Sequence, residues 1–103
     1  MINVTPEEAQ ELIKKGATVL DVRTKEEYAE GHIENATNID FYEPTLEEKL
    51  KELDKTKQYV VHCKSGGRSS KAVDLMGQLG FTSACNVSGG ITSWEEKGLP
   101  VVK

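Results

Sequence analysis

The stretch Tyr59-Val60-Val61-His62-Cys63-Lys64-Ser65-Gly66-Gly67-Arg68-Ser69 constrains this chain more than any other. An apolar, partly β-branched run ends at a thiol, and two glycines follow. Beyond them Ala72, Leu75, Met76 and Leu79 repeat on one helical face, with Gly80 as the stop. The stretch therefore reads as a strand, a tight loop and a helix start. A thiol at the strand's end, glycines that let amide N–H groups turn inward, and cations at Lys64 and Arg68 together make an anion cradle around a nucleophilic sulfur.

The rest of the chain repeats that alternation. Ile2-Asn3-Val4 is expected as an edge strand. Thr5-Pro6-Glu7-Glu8 carries a capping box with proline at the first helical position, and Ala9, Leu12 and Ile13 give its helix a buried face ending at Gly16. Ala17 to Val22 reads as a buried strand. A second capping box at Thr24-Lys25-Glu26-Glu27 opens a short helix that ends at Gly31, and Ala36 to Ile39 is expected as the third strand. A third box, Thr45-Leu46-Glu47-Glu48, precedes Leu46, Leu50 and Leu53 on one stripe. A last strand near Ser83 to Val87 leads through Gly89-Gly90 to a short helix around Trp94, closed by Gly98-Leu99-Pro100. Strands alternating with helices in this way imply an α/β three-layer sandwich, a mainly parallel sheet with helices on both faces, over a single domain spanning residues 1–103.

Composition narrows the function. A formal net charge of -4 argues against general affinity for nucleic acid or anionic membrane. No apolar run reaches the length of a membrane span and the N-terminus lacks the features of a secretory signal, so a cytoplasmic location is expected. Cys63 and Cys85 are too few for a disulfide framework and match no zinc spacing. Neither a metal nor an organic cofactor is expected.

A free thiol has a pKa of about 8.5 and is a poor nucleophile at neutral pH. Three features should favour the Cys63 thiolate: positive charge at Arg68 and Lys64, the N-terminus of the following helix, and amide groups of Ser65, Gly66 and Gly67 free to form a nest. A structural cysteine before a glycine turn would account for Cys63 alone, but not for this combination.

At this point the chain resembles the single-domain rhodaneses, thiosulfate or persulfide sulfurtransferases with a rhodanese-like sandwich. Asp21-Val22-Arg23, Glu27-Tyr28 and Gly31-His32-Ile33 resemble the family's N-terminal signature. Cys63 to Ser69 resembles its catalytic loop, and Gly89-Gly90-Ile91 with Trp94 and Gly98-Leu99-Pro100-Val101 its C-terminal signature. The resemblance implies that Cys63 takes a sulfane sulfur from a small anionic donor such as thiosulfate and becomes a persulfide. It then passes that sulfur to a thiol, to cyanide or to a protein acceptor. Lys64 and Arg68 would bind the donor's sulfonate, and the amides from Lys64 through Ser65, Gly66, Gly67 and Arg68 to Ser69 would cradle the persulfide. The chain departs from the family at Asn35, where glycine is common. Cysteine-dependent phosphatases are the competing reading, but their loops place one residue more between cysteine and arginine than the four here. The smaller ring suits a sulfur atom.

Several other residues invite a functional reading and have a simpler one. Strand alternation points His62 away from Cys63, which suggests a buried, hydrogen-bonded role. His32 is expected to hold a turn, Asp21 and Arg23 to fix neighbouring loops, and Cys85 to pack in the last strand. Trp94 is expected to pack, and Ser69 and Ser70 to cap the helix after the loop.

Overall fold

The computed structural model describes residues 2–103. Ten elements alternate along the chain: β1 (Ile2–Val4), α1 (Pro6–Lys14), β2 (Thr18–Asp21), α2 (Lys25–Glu30), β3 (Thr37–Asn38), α3 (Leu46–Lys51), β4 (Gln58–His62), α4 (Gly67–Gln78), β5 (Ser83–Val87) and α5 (Gly90–Glu96). The five strands form one sheet in the order β1-β5-β4-β2-β3, with every pair parallel. β4 is central, which explains its run of four buried residues after Gln58.

Side-chain alternation sends the strands' apolar residues into two cores. Leu20, Val22, Tyr59, Val61 and Cys63 pack with Leu50 of α3 and with Ala72, Val73 and Met76 of α4. Val19, Val60, Cys85 and Val87 lie on the opposite face with Ala9 of α1 and Trp94 of α5. Burying each such aliphatic side chain contributes on the order of 1.5–3 kcal/mol, so both layers are needed to hold the sheet.

The local signals at Thr5 and Thr24 act as expected. Each side chain accepts from the third helical N–H, and the glutamate there, Glu8 or Glu27, returns to the cap N–H. Thr45 does not. Its backbone sits at φ -94, ψ 14, outside the extended geometry a capping side chain needs, and no side-chain cap bond forms. The residues before it already turn, with Leu46 N–H bonded to the Glu43 carbonyl. The departure noted at Asn35 also has a backbone cause: it is the one non-glycine residue with positive φ, 66°, among those described. Asparagine is the side chain that best tolerates that region.

Candidate active site

β4 delivers Cys63 to the carboxyl end of the central strand, where open α/β sheets place ligands. Cys63 is only 1% exposed. After it the chain curls back through Gly66, whose φ of 115° belongs to the left-handed region, and enters α4 at Gly67. The curl aims the Gly66 N–H at the sulfur, 3.0 Å from Sγ. Ser69, within the first turn of α4, brings its hydroxyl to 3.4 Å from Sγ, and its single proton is shared between the sulfur and Oδ1 of Asn86 on β5. Burial pushes the Cys63 thiol up, but the Ser69 hydroxyl and amide, then the Gly66 and Ser65 amides, outweigh it and hold the thiol below its ordinary range.

The amides can face the sulfur because the carbonyls are engaged elsewhere. Ile91 N–H donates to the Cys63 carbonyl at 3.0 Å and Thr92 N–H to the Lys64 carbonyl at 3.1 Å, so the first turn of α5 grips the loop's outer side. This grip requires Gly90. A Cβ there would lie 2.5 Å from the Lys64 carbonyl oxygen and 2.6 Å from that of Cys63, at a φ of 58°. Gly90 thus serves the loop from the other end of the sequence, whereas a Cβ on Gly89 would meet Ser93 of α5.

The cations are arranged differently from the sequence expectation. Arg68 does not present its fork to the loop: Nη1 and Nη2 donate to the two carboxylate oxygens of Glu27 at 2.7 and 3.0 Å. The Arg68 bond holds the Glu27 carboxyl down at about 2, and Glu27 in turn raises Arg68. The guanidinium also lies 5.7 Å from the centre of the Tyr42 ring. Arg68 therefore ties α4 to α2 at the rim of the ring, and hydrogen-bond donors are the foremost causes of the lowered thiol, with a lesser charge attraction between Arg68 and the Cys63 thiolate. Lys64 remains exposed and lines a cavity of about 270 Å³ together with Arg23, Glu27, Glu30, Gly31, Ile91, Thr92 and Glu95. Ser65 and Gly67 are exposed as well.

Ser69 is corrected as a cap. Gly66 occupies the N-cap position with no side-chain cap bond, and the Ser69 hydroxyl turns to the sulfur instead. Ser70 accepts from Asn86 Nδ2. Asp21 and Arg23 form a buried pair, with Arg23 Nη2 2.8 Å from Asp21 Oδ2 and reaching the Gly31 carbonyl at 2.7 Å. They fix the loops around α2. His32 bonds the Tyr28 carbonyl through Nδ1 and exchanges two backbone bonds with Val102. Trp94 is buried, its Nε1–H donating to the Pro100 carbonyl. Cys85 packs in the α1–α5 core, and burial pushes its thiol up.

Residues 5–97 match the family described as the Rhodanese-like domain. The chain belongs to the rhodanese-like family. As a rhodanese-like domain it is 33% identical to thiosulfate sulfurtransferase 16, chloroplastic, of Arabidopsis thaliana, covering 89% of this chain and 85% of that protein. It is 40% identical to a putative sulfurtransferase of Bacillus subtilis, over 80% of this chain and 77% of the relative. Among solved structures, a rhodanese-related protein from Thermoplasma volcanium superposes with a TM-score of 0.90 at 42% identity, covering 99% of this chain and 98% of the other.

Sequence reasoning did not assign Asn86, the Ile91 and Thr92 amides, or the Glu27 partner of Arg68 to this rhodanese-like site. The Glu27–Arg68 bond spans 41 residues, and no local pattern marks it. Glu27 does stand out in the sequence, but as a capping glutamate. In the structure one of its oxygens serves both tasks.

Proposed function

We propose that this protein is a sulfurtransferase that moves a sulfane sulfur from thiosulfate or a related persulfide donor to a thiophilic acceptor through a persulfide on Cys63. The observation that carries this reading is the sulfur's setting: 1% exposed, at the floor of a ring of amides, with Gly66 N–H at 3.0 Å. A nucleophile so enclosed can be reached only by a protruding terminal atom. The sulfane sulfur of thiosulfate is such an atom, whereas the phosphorus of a phosphate ester is sheathed in oxygens. The committed fork of Arg68 also argues against phosphate chemistry, which needs a guanidinium free for the phosphoryl oxygens.

The Cys63 thiolate attacks the sulfane sulfur, a new S–S bond forms, and the donor's S–S bond breaks with its electron pair leaving on sulfite. The terminal persulfide sulfur inherits the negative charge and the same amide donors. A cyanide or thiolate acceptor then attacks that outer sulfur, and Cys63 leaves as the thiolate. Lys64, exposed at the rim, takes the donor's sulfonate charge, while Arg68 holds the ring closed. The proposed acceptor is a small thiol, cyanide or a protein thiol, and the cytoplasm is the proposed location.

Incubation with thiosulfate followed by intact-mass measurement, then cyanide and a thiocyanate assay, tests the proposal. One sulfur atom should add to the wild type and be removed by cyanide, and Cys63→Ser should show neither. No adduct on the wild type, together with hydrolysis of an aryl phosphate, would overturn it.

A further inference from the structure

His62 is wholly buried on the sheet face opposite the sulfur, in register with Asp21 of β2. Its Nδ1 lies 3.1 Å from the Cys63 carbonyl oxygen. A carbonyl can only accept, so Nδ1 carries the proton. Nε2 has no hydrogen-bond partner among the described residues and sits 3.6 Å from Asp21 Oδ2. In the neutral ring that places two acceptors face to face. Burial and the Arg23 guanidinium oppose protonation of the ring, while Asp21 and the Cys63 carbonyl favour it, and burial prevails. The Asp21 side therefore does not hold the imidazole; the Nδ1–H bond does.

We infer that His62 is a positioning residue for the thiolate, its Nδ1–H holding the Cys63 carbonyl away from the sulfur so that the loop's amides stay on the anion. The Cys63 carbonyl accepts from two directions, Ile91 N–H of α5 and His62 of β4. Together they fix the peptide plane that opens the loop. With one donor removed that plane can rotate, swinging the negative end of a carbonyl dipole towards the sulfur and dispersing the amides behind it. The inference rests on the reading of Cys63 as the nucleophile, but its readout is thiol reactivity and needs no sulfur donor.

The test separates the two ring nitrogens. In His62→Asn an amide N–H can stand where Nδ1–H stands, in His62→Gln it stands nearer the Nε2 position, and His62→Phe fills the space without a donor. The rate of Cys63 alkylation against pH is measured for each, with thermal melting to confirm folding. Below the thiol's pKa, His62→Phe and His62→Gln should alkylate about tenfold more slowly than the wild type, as a thiol raised by one pH unit would. His62→Asn should recover most of the rate. A folded His62→Phe with an unchanged profile would overturn the inference, and so would a His62→Asn no faster than His62→Phe. A wild type that alkylates as expected but takes no sulfur from thiosulfate would overturn the sulfurtransferase reading and leave this one intact.

Discussion

Cys63, just past the end of β4, and Cys85, within the neighbouring β5, are both buried thiols, and the structure drives them in opposite directions. Cys63 is held below the ordinary thiol range and Cys85 above it. Burial raises both, so burial is not what separates them. Cys85 sits inside β5, on the α1–α5 face, with the Tyr59 carbonyl 3.6 Å from its sulfur, and an acceptor does nothing for a thiolate. Cys63 lies just past the end of β4, where the chain has left the ladder and its amides are free to turn on the sulfur. The foremost difference between the two thiols is the set of donors released by the end of a strand.

The sharpest way to break that contrast is to exchange the two sulfurs for oxygen. Cys63→Ser should lower sulfur transfer by at least about 10³-fold, while Cys85→Ser should stay within about twofold. A persulfide found on Cys85 in the Cys63→Ser protein would end the distinction. Next in size is Gly90→Ala. Its methyl group would meet two backbone carbonyls of the loop, so either α5 or the loop must move. We expect a loss of about 3 kcal/mol in denaturant unfolding and slower alkylation of Cys63, with Cys85 as inert as before.

How much of this was legible depended on the range over which each cause acts. The parallel α/β sandwich followed from alternating apolar runs and capped helices, because periodicity and the boxes at Thr5 and Thr24 are local. Thr45 shows the limit: the same spelling of threonine and glutamate fails when the preceding turn sets the wrong backbone angles. The loop's inner surface was also legible, since Gly66 and the thiol are near neighbours. Its outer surface was not, because the grip comes from Gly90, Ile91 and Thr92 across a strand and a helix. Nor could the sequence say that Arg68 is already committed to Glu27.

If donors set the contrast, removing one should erode it in proportion. Ser69→Ala deletes the hydroxyl 3.4 Å from Sγ and leaves the Gly66 amide in place. A hydrogen bond to a charged group contributes about 1.5–3 kcal/mol at most, and the remaining amides share the anion, so alkylation of Cys63 below its pKa should slow by about tenfold. An unchanged rate would assign the lowered thiol to the amides alone.

The smallest effect asks whether the nearby cation matters after all. Glu27 is held down at about 2, so its bond to Arg68 stabilises the fold above the ordinary carboxylate range and is lost as pH falls through about 2. With both side chains partly exposed, solvent screening leaves about 1 kcal/mol. Glu27→Gln should therefore be about 1 kcal/mol less stable at neutral pH, with the gap to the wild type closing in strong acid. The same variant leaves Arg68 without its counter-ion while the amide ring is untouched. If donors govern Cys63, its alkylation profile should move by less than about threefold. An increase in reactivity well beyond that would mean that Glu27 had been masking a cation able to act on the sulfur, and the difference between Cys63 and Cys85 would then be one of charge.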